Sequence, residues 1–142
     1  MLPFHLGCTD FSSLLFELSD GRFQFISDSV VAPLMTGHQY VLVENNLAKF
    51  LEELELDQVS FRPAVIWNRR LDEELHTHKR LVAGKTFFSD QISELDLTGK
   101  QLYLMQDEYI FVSPELKDVL EAQGFERLHF SEGMSEFVGE AT

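Results

Sequence analysis

The chain has 142 residues, a length that suits one domain and buries about 68–70% of the surface its unfolded form exposes. Hydrophobic residues make up 44%, including 13 Phe with only 4 Pro and 8 Gly, which is enough apolar material for a packed core and excludes a disordered or low-complexity chain. Eleven basic residues against 24 acidic ones give a net charge of −13, which argues against nucleic acid or an anionic membrane as the main partner and favours a basic protein or a cation.

Met1 to Asp10 carries no basic residue and no apolar run of signal-peptide length, and no later stretch approaches the ~20 apolar residues of a spanning helix. A soluble cytoplasmic protein is the expectation. Cys8 is the single cysteine and cannot close an internal disulfide. It stands near His5 in a Gly-Cys-Thr-Asp segment, so a Cys–His nucleophile pair is the enzymatic alternative to an incidental thiol.

Leu14 to Leu18 and Arg22 to Ile26 alternate apolar with polar around Ser19-Asp20-Gly21, which predicts a hairpin over 14–26. The connection that follows is expected to tuck Val30, Val31, Leu34 and Met35 inward. Laying residues 41–61 over 110–130 at an offset of 69 aligns Val43 with Val112, Leu47 with Leu116, Leu51 with Leu120, Glu52 with Glu121 and Phe61 with Phe130. Two copies of one unit are expected, about 40–61 and 109–130.

Each copy opens on an apolar strand, Tyr40 to Val43 or Tyr109 to Val112, and then changes period. Leu47, Phe50, Leu51 and Leu54 form one stripe of a helix, with Lys49, Glu52 and Glu53 turned to water. In the second copy Ser113 is a candidate N-cap, Pro114 suits the first helical position and Gly124 suits a left-handed C-terminus. A short strand, Gln58 to Phe61 or Arg127 to Phe130, closes each copy.

Pro63 marks an edge or bulge after the first copy. From Asn68 to Val82 the pattern permits either a helix capped by Asn68 or, over Glu74 to Val82, an exposed strand. Phe87, Phe88, Ile92, Leu95 and Leu97 are expected to supply core, and Gln101 to Met105 to pair as a strand with Tyr109 to Val112. Met134, Phe137 and Val138 fit a short docked helix or a frayed end. The fold class expected is α+β, a single domain over 1–142 with a mixed or antiparallel sheet and two strand–helix–strand units packed on it.

His76 and His78 share a strand face without a third ligand at a signature spacing, and read as solvated histidines. Trp67, beside Arg69 and Arg70, can stack a ligand or fill core. Glu52-Glu53, Asp72-Glu73-Glu74 and Asp107-Glu108 read as solvated faces without an apolar surround to shift a pKa. No nucleotide loop, nucleophile elbow or zinc-binding cysteine set occurs, so neither enzyme activity, nor cofactor, nor metal is expected. Residues 62–85 hold six basic and three acidic groups, net +3, leaving −16 on the remainder. Such a field steers a cationic partner, and a plain solubility role is the competing explanation.

The pattern [IV]-x-V-[ES]-x-x-L-x-x-[FV]-L-E, a strand ending Phe61-Arg62-Pro63, and a second copy opening Ile110-Phe111-Val112-Ser113-Pro114-Glu115-Leu116 resemble small bacterial immunity proteins of polymorphic toxin systems. The resemblance covers Tyr40 to Phe130; Glu44 stands where that family usually has Ser, and nothing before Tyr40 carries its motif. It implies a helix packed beside a sheet and a protein that neutralises a cognate toxin by occluding its active site or substrate groove, with no enzymatic role. Asp20, Asp28, Glu52, Glu53, Asp57, Asp107 and Glu108 are the carboxylates chosen as contacts for the toxin's basic surface. A non-enzymatic intracellular adaptor or assembly subunit is the alternative, followed by an enzyme that uses either Cys8 with a histidine or the His76/His78 pair. Oligomeric state is left open by the sequence.

Overall fold

A computed structural model describes residues 1–10, 12–26 and 29–137. They form a strand-rich, mixed α/β single domain with three sheets. In chain order the elements are β1 (Phe4–Cys8), β2 (Leu15–Glu17), β3 (Phe23–Phe25), β4 (Leu34–Gly37), β5 (Tyr40–Glu44), α1 (Asn45–Glu53), β6 (Val59–Pro63), β7 (Ile66–Asn68), β8 (Glu73–Leu75), β9 (His78–Ala83), β10 (Thr86–Phe87), a 3-10 helix (Ser89–Glu94), β11 (Leu102–Met105), β12 (Tyr109–Val112), α2 (Pro114–Ala122) and β13 (Leu128–Glu132).

Sheet I runs β10-β11-β12-β1-β13, sheet II β4-β5-β9-β6 and sheet III β2-β3-β7-β8. One large core lies between sheets I and II, where Leu6, Ile110 and Val112 meet Val41, Val43 and Leu81 and both helices lay down their stripes, Leu47 and Leu51 from α1 and Leu116 and Leu120 from α2. The other face of sheet II packs on sheet III through Tyr40, Leu42, Phe23, Phe25 and Ile66. This explains the unbroken apolar run of β5: Val41 and Val43 face one core, Tyr40 and Leu42 the other. The outer face of sheet I is covered by the 3-10 region and the last turn, with Phe87, Tyr103 and Phe111 against Ile92, Leu95, Met134 and Phe137.

The strand order nests distant segments. β9 lies between β5 and β6, antiparallel to both, and β1 lies between β12 and β13, again antiparallel to both. The segment 68–82 resolves as a turn and strands. The Asn68 side chain does accept from the Leu71 amide at 3.2 Å, but the chain then reverses into β8 instead of winding on.

Several inward expectations are corrected. Val30 and Val31 are exposed, as is Phe88, because β10 ends at Phe87 and the next side chain turns outward. His78 is not solvated: it is buried, with Nε2 2.7 Å from the Ala32 carbonyl and Nδ1 2.8 Å from Thr77 Oγ1, so its polar atoms are satisfied inside the core. Residues 133–137 form turns, not a helix; Met134 and Phe137 dock, while Val138 lies outside the described residues.

The two helices end alike but with different residues. After α2 the chain turns at Gly124 with φ 87°, and after α1 it turns at Glu55 with φ 52°. A side chain in this region is strained where glycine is not. Glu55→Gly is expected to raise stability by about 0.5–1 kcal/mol, or ~2–4 °C in Tm, whereas Glu55→Ala should not. Paired thermal unfolding curves of the two variants check this.

Candidate protein-docking face

Six of the seven carboxylates expected as contacts are described, and they fall in two turns, on α1 and in the loop after α1. Asp20 sits in the β2–β3 turn, where Oδ1 accepts from the Arg22 amide and Oδ2 from Arg22 Nε, both at 3.0 Å. Those hydrogen bonds hold its carboxyl below the ordinary value. Glu52 and Glu53 lie on the exposed side of α1, and Glu52 is 3.3 Å from Lys79 Nζ. Asp57 follows α1, with Lys85 Nζ at 3.8 Å. Asp107 and Glu108 form the β11–β12 turn, Asp107 with φ 55°. Asp28 lies outside the described residues. Several of these charges are thus already engaged by the protein's own cations.

A different feature stands out on sheet III. Its inner face buries Leu15, Phe23, Phe25 and Ile66, and its outer row runs Phe16, Gln24, Trp67 and Glu74, each opposite the next. The Ile26 amide donates to the Leu14 carbonyl at 3.1 Å, so these two side chains stand two residues along from Phe16 and Gln24 on the same outer face. Leu14, Phe16 and Ile26 are 62%, 61% and 61% exposed. Isolated exposed apolar side chains are ordinary; a contiguous group of large ones marks an interaction site.

The group is held on a rigid frame. At the far end of the row the Arg22 guanidinium lies 4.2 Å from the centre of the Trp67 ring and pairs with Asp20 at 2.9 Å and Glu74 at 3.5 Å, while Trp67 Nε1 donates to Asp72 at 3.2 Å. Trp67 is therefore half-buried and already stacked on the protein's own cation. The edge of β2 is partly closed too: the Leu15 amide donates to Tyr40 Oη at 3.1 Å and Glu17 accepts from Arg80 Nη1 at 2.9 Å. What stays open is the face, not the edge. The alternation expected of this hairpin holds only near its turn: Leu14-Leu15-Phe16 opposite Phe25-Ile26 is apolar on both faces, and that lapse is the clue in the sequence.

The Cys8–His5 pair is not assembled. Alternation along β1 puts Cys8 against the large core, its Sγ near the Leu34 and Asp10 carbonyls at 3.6 and 3.7 Å, while His5 faces Phe111 on the opposite side. His5 Nδ1 is 2.9 Å from Glu136 and His129 Nε2 is 2.7 Å from the same carboxylate. Burial pushes the His5 imidazole below its ordinary value against the pull of Glu136. Burial would raise Glu136, but its hydrogen bonds to both histidines outweigh this and hold it low. The trio ties the C-terminal turn to β1 and β13. Among the described residues no group of three His, Cys, Asp or Glu could hold a metal ion, and no helix is long and apolar enough to cross a membrane.

Comparison with known families, curated proteins and solved structures finds no match. The functional reading therefore rests on the geometry of sheet III, the charge and the motif resemblance.

Proposed function

We propose that this chain is an immunity-type protein that captures a cationic toxin through the outer face of sheet III and occludes the toxin's active site or substrate groove. The observation that carries this reading is the contiguous, exposed Leu14–Phe16–Ile26 surface on a molecule of net charge −13. Apolar anchors supply the affinity of a protein interface and the surrounding field sets its rate and orientation. The same charge opposes covering the face with a second copy, since each would bring −13 to the other. The Val-Ser-x-x-Leu boxes add the resemblance.

We also infer that residues 40–61 and 109–130, whose closing strands run on to Pro63 and Glu132, are two copies of one strand–helix–strand unit. Lys79 pairs with both Val43 and Pro63, and Phe4 pairs with both Val112 and Glu132. Val43 to Val112 and Pro63 to Glu132 are both steps of 69, so β1 fills in one unit the place β9 fills in the other. Each copy is then completed by the strand that precedes its sibling in the chain, which locks the halves together and gives the docking face a stiff base.

The test uses the toxin-like product of a neighbouring reading frame. Co-expression with the wild-type chain should rescue growth and give a complex that survives gel filtration. Phe16→Glu with Ile26→Glu should weaken binding at least about a hundredfold, the loss of two anchor side chains, with an unchanged folded spectrum. Association should slow markedly from 50 mM to 500 mM salt, as a steered encounter does; an adaptor whose carboxylates serve solubility alone would show little slowing. No rescue and no complex would sink the proposal.

A further inference from the structure

Arg62 and Arg80, two cations of the positive island of residues 62–85, lie outside the Leu14–Phe16–Ile26 group just described, and the structure gathers them into a cleft. Arg62 on β6 and Arg80 on β9 are directly opposite in the antiparallel ladder, so their side chains leave the same face of sheet II. Like charges in that relation repel and cost stability.

Arg80 is a guanidinium already aimed. Its Nη1 donates to Glu17 at 2.9 Å, its Nη2 to the Gln39 carbonyl at 2.9 Å, and its Cζ lies 5.5 Å from the centre of the Phe23 ring. Arg62, by contrast, is exposed on an edge strand and has no hydrogen bond or ion pair among the described residues. Glu17 offsets one of the two charges and leaves the other uncompensated.

Beside this pair the sheet opens. The β5–β9 ladder covers only Leu42 to Glu44 against His78 to Arg80, while β9 continues to Ala83 with β6 alone. Where β5 and β9 part there is a cleft of about 440 Å³, lined by Tyr40 and Val41 on one side, Leu81 and Val82 on the other, Leu104 from sheet I, and both arginines, with Asp107 at its border. That volume lies in the range of small-molecule sites, which combine apolar walls with a few fixed polar groups.

We propose that this cleft binds a small anion, its carboxylate or phosphate head held by Arg62 and Arg80. An oriented guanidinium with a second, free arginine opposite it in the ladder can together hold an anionic oxygen pair. The proposal does not depend on the toxin-binding reading, and its test needs no protein partner.

Inorganic phosphate and succinate, each at constant ionic strength with chloride as control, are titrated into the full chain while the arginine Nε–H signals are followed by NMR. Saturable shifts at Arg62 and Arg80 are expected from at least one of the two probes; phosphate alone assigns a phosphorylated ligand, succinate alone a carboxylate. Arg62→Gln, which removes an exposed side chain without a partner, should weaken binding at least about tenfold. Lys49→Gln, which removes an exposed cation on α1, should leave it unchanged. Shifts that chloride reproduces, no shift with either probe, or equal affinity in Arg62→Gln overturn the proposal.

Discussion

Phe111→Ala is expected to cost about 3–5 kcal/mol of folding stability, the largest loss from any single apolar truncation on the outer face of sheet I. Phe111 is fully buried on β12, with the rings of Phe87 at 5.2 Å, His5 at 5.4 Å and Phe137 at 6.1 Å around it. Those neighbours come from β10, β1 and the last turn, so one side chain is the common contact of three segments far apart in the chain. Alanine leaves a void that none of them can fill alone, because each is fixed by its own ladder or, for the last turn, by the Glu136 contacts. Phe16→Ala removes the same side chain from a surface 61% exposed and should cost less than about 0.5 kcal/mol. Urea unfolding of the two variants checks the contrast. Near-equal losses would show that the outer face of sheet I is not packed as described, or that the sheet III row is not free.

The same contrast shows how far the sequence could be read. Local signals were legible where one face of an element was buried and the other wet. The helical stripe of Leu47, Leu51, Leu116 and Leu120 and the turn at Ser19-Asp20-Gly21 are of this kind, and both segments fold accordingly. Signals failed where both faces were covered or neither was. β9 is a central strand bearing Lys79 and Arg80, whose charges are met by Glu52 on α1 and Glu17 on β2; its composition reads as an exposed segment. Phe88 and His78 exchanged places for non-local reasons: a two-residue strand ended too soon for one, and a carbonyl from residue 32 satisfied the other.

The exposed apolar group on sheet III is hidden in the sequence for a related reason. Charge is visible in a sequence and singles out carboxylates, yet Asp20, Glu52 and Asp57 have internal cations beside them. An apolar residue with nothing packed on it looks the same in sequence as a core residue. Only the pairing of β2 with β3, and of β3 with β7, reveals which side of Leu14, Phe16 and Ile26 is free. The nesting of β1 and β9 was equally invisible, since it depends on pairings such as Leu6 with Phe130.

Ser113→Ala is expected to cost about 2–4 kcal/mol, far more than loss of an ordinary N-cap. As a cap the residue was readable: Ser113 precedes Pro114, and its Oγ accepts from the Leu116 amide at 3.4 Å. Its second task was not. The same Oγ donates to the Gly99 carbonyl at 2.6 Å and accepts from the Gln101 amide at 2.9 Å, so one fully buried hydroxyl fastens the start of α2 to the turn that launches β11. Alanine fits the space but leaves two amides and a carbonyl without that partner, and each buried group left unsatisfied costs about 1–3 kcal/mol. Glu44, at the matching position before α1, makes no side-chain cap, so the first helix relies on its packed stripe where the second has a polar clasp as well. Denaturation of Ser113→Ala measures the total. Hydrogen exchange at the Gln101 and Leu116 amides separates the two tasks: faster exchange at both fits a shared hydroxyl, and faster exchange at Leu116 alone would reduce Ser113 to a cap.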